Sequence, residues 1–115
     1  MVSFKTIFAI LPFALAAPTL QHAGEITYFD PGLGACGQTH SGADFIAAVS
    51  HIRYDRENLC GRRLRVSYQG RSADVQIVDR CAGCAENDVD LSPSAFQAAV
   101  GDLGLGRVQG TWEFI

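Results

Sequence analysis

The chain has 115 residues, of which 48% are hydrophobic and 18% charged, and its formal net charge is −3 at pH 7. This length is enough for one small domain, and neither repeats nor low-complexity tracts divide it. The mildly acidic balance argues against a nucleic-acid partner, since binding nucleic acid calls for a basic face.

The first seventeen residues, Met1–Ala17, have the features of a secretion signal. Lys5 gives a positive start, the apolar run Ile7–Ala16 follows, and its small residues fit cleavage after Ala16 or Ala17. The run is too short to span a bilayer, and a proline interrupts it. We therefore expect a secreted domain over residues 18–115 without a membrane anchor. Removal of Lys5 leaves eight basic against twelve acidic residues, a net charge of −4.

Four cysteines in a small secreted chain indicate two disulfides, and the residues alone leave three connectivities open. A redox-active pair is the alternative for Cys81 and Cys84, but a thioredoxin-like βαβ pattern is lacking. A zinc site would have to draw on His22, His40 and His51, which are not at zinc-finger spacing. We therefore expect neither a metal nor another cofactor.

Alternation of apolar and polar residues, broken by turn residues, predicts a series of short strands. The expected strands are Gly24–Asp30, Phe45–Val49, Arg63–Tyr68, Ser72–Val78 and Arg107–Ile115. The two-residue turn Gln69-Gly70 makes the third and fourth of these the clearest hairpin. His51–Asn58 is expected to be a surface connection, with or without a helical turn, and Asp102–Gly106 a glycine-rich link. In the last strand, Trp112 is expected in the core and Gly110 at a close backbone approach or a bulge.

The segment Val75–Phe96 carries the most information about local structure. Its strand is expected to end at Asp79, and a polar loop to run over Arg80–Asp88. Ser92 then caps a helix over Pro93–Val100, because serine is a favoured N-cap and proline is tolerated at the first helical position. Asp90 precedes this cap, so we interpret it first as a structural acid near the positive end of the helix. Asp79 and Arg80 are interpreted as hydrogen-bonded loop anchors.

This segment also carries a family resemblance. Val-Asp-Arg-Cys at 78–81 and Asp-Leu-Ser-Pro-Ser-Ala-Phe at 90–96 resemble the signature of RlpA-like, barwin-like and expansin-like double-psi β-barrels. Gly34-Ala35-Cys36-Gly37, Cys60-Gly61 and Gly110-Thr111-Trp112 extend the similarity along nearly the whole domain. The resemblance is strongest to small secreted single-domain members, among them bacterial papain inhibitors and fungal proteins labelled riboflavin-aldehyde-forming enzymes. It implies a mainly β fold, a six-stranded double-psi β-barrel with one or two short helices.

The resemblance also implies a disulfide pairing and a binding groove. Cys36 would pair with Cys60, which leaves Cys81 for Cys84. The groove would be lined by Thr27, Tyr28, Asp30 and Asp90. In related barrel endoglucanases, the place of Asp90 is that of a catalytic acid, and Asp30 resembles the base.

We expect a non-catalytic binding protein, since this fold hosts hydrolases, inhibitors and plain binders alike. Its partner would be cell-wall polysaccharide or a papain-like cysteine protease, and the protein would act as a monomer. The alternative is a weak glycan-cleaving enzyme related to barrel endoglucanases or lytic transglycosylases. It would use Asp90 and Asp30, because glycoside hydrolysis needs two carboxylates of different pKa. Asp88 could raise the pKa of Asp90 in that case.

Overall fold

The computed structural model describes residues 20–115, and the predicted signal peptide lies outside this range. Six strands are present: β1 His22–Tyr28, β2 Ile46–Ser50, β3 Arg63–Tyr68, β4 Arg71–Cys81, β5 Val89–Leu91 and β6 Val108–Phe114. Two helices, α1 His51–Arg56 and α2 Pro93–Ala99, and a 3-10 turn, Leu103–Leu105, connect them. The predicted surface connection after β2 is therefore mostly helical, and the glycine-rich link contains the 3-10 turn.

The strands close into one barrel in the order β1-β5-β2-β4-β3-β6. The β1–β5 and β2–β4 pairs are parallel, and the other four pairs are antiparallel. Closure leaves no strand with an unpaired edge, which removes the template for pairing with another chain. The predicted fold, a six-stranded barrel with short helices, is confirmed.

The hairpin of β3 and β4 forms in the predicted register. Leu64 lies opposite Val75 and Val66 opposite Ala73, and these side chains point into the barrel. Gln69 and Gly70 in the turn have φ angles of 47° and 83°. Positive φ at both central residues matches the twist of the two strands, which is why this short turn closes the hairpin.

The strand β4 is longer than predicted. Residues assigned to the loop, Arg80 and Cys81, continue the strand and pair in parallel with Val49 and Ser50 of β2. The polar character of Arg80 suggested a loop, but its side chain points outward while its backbone stays in the sheet. The register shift in this ladder falls between Ala47 and Ala48, and such a bulge bends the barrel wall.

The second helix begins as predicted. The Ser92 hydroxyl accepts a hydrogen bond from the Ala95 N–H, and Pro93 occupies the first turn. The strand β5, immediately before this cap, was not predicted, because its three residues are too few for a periodic pattern to show.

The core of the barrel is apolar and includes the residue with the largest side chain, Trp112. Its ring is fully buried, and its indole N–H donates to the Asn87 carbonyl at 2.8 Å. Gly110 lies where β6 crosses closest to its neighbours, since a Cβ there would be 2.3 Å from Ile26 Cδ1 and 2.8 Å from the Ser67 carbonyl oxygen. Both predictions for this strand are confirmed.

Two disulfides, Cys36–Cys60 and Cys81–Cys84, stabilise the loops. This is the pairing that the family resemblance implies. The first joins the loop after β1 to the segment before β3, and the second closes a four-residue loop at the end of β4. Among residues 20–115, no helix is long and apolar enough to cross a membrane.

Candidate functional site

Thr27 and Asp90 form the centre of the candidate groove. The parallel pairing of β1 with β5 places the two residues opposite each other. The Thr27 hydroxyl donates to Asp90 Oδ1 at 2.8 Å, and both side chains are half-buried. The barrel backbone therefore holds this carboxyl in one orientation before any ligand arrives.

The pKa of Asp90 is raised above the usual value of an aspartate, mainly because burial disfavours the charged form. The hydrogen bond from Thr27 and the positive charge of Arg107 act in the opposite direction, and the negative charge of Asp79 adds to the rise. Asp90 therefore keeps its proton to a higher pH than an exposed aspartate does, and only while it is protonated can it donate a hydrogen bond as well as accept one.

Asp90 is not the helix-capping acid that the sequence suggested. It lies within a strand, and its hydrogen bond is to Thr27 rather than to backbone N–H groups of α2. Ser92 alone supplies the side-chain cap. The interpretation was wrong because it treated the residues before the cap as loop, whereas β5 turns the Asp90 side chain outward between two buried neighbours.

Asp88, rather than Asp90, is the acid that holds the neighbouring loop. Its carboxylate accepts hydrogen bonds from the Glu25 N–H at 3.0 Å and the Ala85 N–H at 2.9 Å. It therefore fastens the loop before β5 to β1. The negative charge that raises the pKa of Asp90 comes from Asp79, not from Asp88 as the sequence suggested.

Asp79 also influences Asp90, although the sequence analysis interpreted it only as a loop anchor. Its Oδ1 accepts from the Ala35 N–H at 2.9 Å and the Arg80 N–H at 2.8 Å, so that it anchors the loop after β1 as predicted. Its charge also reaches Asp90. A Cβ at Gly34 would be 2.5 Å from the Val78 carbonyl oxygen, so that only glycine lets this loop lie so close to β4. The alternating pattern of β4 was the only sequence signal for its position.

Tyr28 lies next to Thr27 at the end of β1. The residue is 36% exposed, and its ring packs against the buried ring of Phe96, with 4.9 Å between the centroids. Asp30, two residues further on, is exposed and lies outside any strand or helix, and within residues 20–115 no hydrogen bond or ion pair joins it to Asp90. The structure therefore brings Thr27, Tyr28 and Asp90 to one end of two paired strands, while Asp30 stays outside their hydrogen-bond network.

The three histidines lie in separate surroundings. His22 stacks on Trp112 with 4.4 Å between the rings, and His40 is paired with Asp44 at 3.5 Å. Within the part of the chain that the structure describes, no group of three or more His, Cys, Asp or Glu residues could hold a metal ion. The histidines considered for zinc are therefore not brought together.

No family model matches the chain. The papain inhibitor of Streptomyces mobaraensis is 36% identical over 101 residues, which cover 80% of this chain and 70% of that protein. Two fungal relatives, the allergen Asp f 7 of Aspergillus fumigatus and its homolog in Arthroderma benhamiae, match at 31% and 33% identity, but the chain spans only 36% and 41% of their length.

Solved structures give the same result. The Streptomyces papain inhibitor superposes with a TM-score of 0.75 at 32% identity, over 87% of this chain and 99% of that chain. An expansin of Clavibacter michiganensis, in complex with cellohexaose, superposes with a TM-score of 0.75 at 26% identity, over 84% of this chain and half of that chain. With this barrel and these matches, the chain belongs to the double-psi β-barrel family that includes the papain inhibitor and the expansin.

Proposed function

We propose that the protein is a secreted, non-catalytic binding protein whose groove, formed by Thr27, Tyr28 and Asp90, holds cell-wall polysaccharide. The observation that carries this proposal is the fixed Thr27–Asp90 pair, with the partly exposed Tyr28 following Thr27 at the end of β1. A flat aromatic ring suits the apolar face of a sugar, and a hydroxyl–carboxyl pair suits its hydroxyl groups. The expansin structure with cellohexaose supports this class of ligand.

Several features of the groove favour binding over cleavage. Glycoside hydrolysis requires a second carboxylate at a defined separation from the acid, as base or nucleophile. Asp30, the predicted base, has no bond to the Asp90 network, and Asp79 already accepts two backbone N–H groups. The raised pKa of Asp90 suits a proton donor, but it also suits a carboxyl that shares hydrogen bonds with a neutral sugar.

The test is to compare the parent with Asp90→Asn on insoluble glucan and chitin. The substitution keeps size and a carbonyl oxygen for the Thr27 hydroxyl but removes the acid. We expect weaker retention of the variant and no release of reducing ends by either protein. Asp102→Asn is the matched control, because it makes the same chemical change at the cap of the 3-10 turn and asparagine also caps well.

Three results would contradict the proposal. Release of reducing ends by the parent and not by Asp90→Asn would make the protein a glycan-cleaving enzyme. Equal retention of parent and variant would remove Asp90 from the binding site. Absence of retention on any polysaccharide would reject the ligand class.

A second candidate function is inhibition of a papain-like cysteine protease. The observation that favours it is the match to the papain inhibitor over 99% of that chain, whereas the expansin match covers half of its chain. An assay of papain activity with increasing amounts of the parent tests it directly. Loss of papain activity at stoichiometric amounts, with no retention on polysaccharide, would make inhibition the function.

Secretion is part of the proposal. It is supported by the sequence of Met1–Ala17 and by the pairing of all four cysteines, since disulfides persist in oxidising compartments. N-terminal sequencing of the protein from culture medium should find a chain that begins at Ala17 or Pro18. Protein found only inside cells, with residue 1 retained, would contradict this.

A further inference from the structure

A second surface feature lies on the far side of the barrel from the groove. It is an open depression of about 470 Å³, within the size range of small-molecule sites. Its lining residues come from β3, β4 and the segment before β2: Phe45, Arg65, Ser72, Ala73 and Asp74. In the closed order β1-β5-β2-β4-β3-β6, the β4–β3 pair lies opposite the β1–β5 pair. The depression and the groove therefore face different directions and share no residue.

The aromatic side of the depression is Phe45, whose ring is 44% exposed. Its backbone is fixed from two sides. The Phe45 carbonyl accepts a hydrogen bond from the Gln76 N–H at 3.2 Å, which ties it to β4. The Asp44 carbonyl accepts one from the Ser94 hydroxyl at 3.2 Å, which ties the preceding residue to α2. The ring is thus presented on a rigid segment, so that a ligand stacking on it would order little of the chain.

The polar side is a cross-strand ion pair. Arg65 Nε donates to Asp74 Oδ1 at 2.8 Å and Arg65 Nη2 donates to Oδ2 at 3.0 Å. These hydrogen bonds lower the pKa of Asp74, so that the pair stays ionised at neutral pH. Two of the five guanidinium N–H groups are engaged in this way, and the others remain as donors in a fixed plane.

The charges around the depression cancel. Arg65 and Asp74 neutralise each other, and the two further charges that act on this pair, on Arg63 and Glu113, have opposite signs. A net-neutral site gives no advantage to an anion or a cation. It suits a neutral ligand with one apolar face and many hydroxyl groups.

We propose that this depression is a second saccharide-binding site, in which a sugar ring stacks on Phe45 and its hydroxyls bond to Arg65, Asp74 and Ser72. The inference rests on the proposed function for its class of ligand, but on separate residues for its location. Two sites on opposite sides of one barrel would let a monomer bridge two polysaccharide chains. Such bridging would raise retention on an insoluble polymer beyond that of either site alone.

The test is a titration of the ¹⁵N-labelled protein with cellohexaose and, separately, with chitohexaose, followed by NMR. We expect the amide resonances of Ser72 and Asp74 to move with one affinity and those of Thr27 and Asp90 with another. Phe45→Ala should weaken only the affinity reported by Ser72 and Asp74, by about fivefold, as expected for loss of one aromatic contact. Ile52→Ala is the matched control, because Ile52 is similarly exposed, at 40%, on α1.

A second variant tests the same site in case Phe45→Ala does not fold. Arg65→Lys keeps the charge but removes the planar fork, and it should weaken the same resonance shifts while leaving those of the groove unchanged. Shifts confined to the groove would overturn the second site and leave the proposed function intact. Shifts confined to the depression would support the second site and reject the groove. If neither set moves with either oligosaccharide, both are rejected.

Discussion

Removal of the Cys36–Cys60 bridge should cost more stability than removal of Cys81–Cys84. The two bridges span sequence separations of 24 and 3 residues. In the chain-entropy model, the longer loop contributes about 3.5 kcal/mol and the shorter about 1.9 kcal/mol. For a domain of this size, these losses correspond to decreases in melting temperature of about 20 °C and about 11 °C.

Hydrogen bonds also hold the loop that the short bridge closes. The Cys81–Cys84 loop keeps other attachments after reduction, because the Ser50 hydroxyl donates to the Cys84 carbonyl at 3.2 Å and the Ala85 N–H donates to Asp88. The short bridge thus restricts a segment that hydrogen bonds already hold.

Urea unfolding of two double variants measures the effect. In each variant, both cysteines of one bridge are replaced by serine. The midpoint and the slope of its urea unfolding curve are compared with those of the parent under non-reducing conditions. We expect the Cys36–Cys60 variant to lose more than the Cys81–Cys84 variant by about 1.6 kcal/mol. Equal losses, or the reverse order, would refute the chain-entropy reasoning for this barrel.

Three further predictions concern packing and pH. Gly24→Ala should destabilise the protein by more than about 2 kcal/mol in urea unfolding, because a Cβ there would lie 2.0 Å from the Asn87 carbonyl oxygen. Gly32→Ala is the control, since a Cβ at Gly32 meets nothing within 4 Å. The folded pKa of Asp90 is raised, so that the folded state holds its proton longer than the unfolded state and stability falls as pH rises above about 4. Asp90→Asn should therefore gain stability relative to the parent at pH 7 and lose that gain at pH 3; a constant difference would contradict this. The pKa of His22 is lowered, mainly by burial, so that its contribution to stability is lost as pH falls below about 6.5. His22→Gln should therefore make the melting temperature depend less on pH between pH 7 and pH 5.

The sequence predicted those elements whose pattern is local. The β3–β4 hairpin has strict alternation and a two-residue turn, and the start of α2 has serine followed by proline. Trp112 was correctly placed in the core because it shares a face with apolar neighbours in the same strand. Each of these features is determined within about ten residues of chain.

The features that the sequence analysis missed depend on pairing between strands that are far apart in the chain. Arg80 looks like loop until β2 supplies a parallel partner for its backbone. Asp90 looks like a helix-capping acid until β1 and β2 pair on either side of it. The influence of Asp79 on the Asp90 pKa requires β4 and β5 to approach in space. A single sequence does not contain these pairings, because closing a barrel joins segments far apart in the chain.

The short strand β5 determines the position of Asp90. In a strand of three residues whose outer two, Val89 and Leu91, are fully buried, the middle residue must point outward. The core thus fixes the position of Asp90 without using its side chain, and Thr27 fixes its orientation. A substitution at this one position therefore changes the chemistry of the proposed groove while the packing that holds the barrel together remains. That separation of site from core is a physical reason why one barrel can serve members of a family that bind unlike partners.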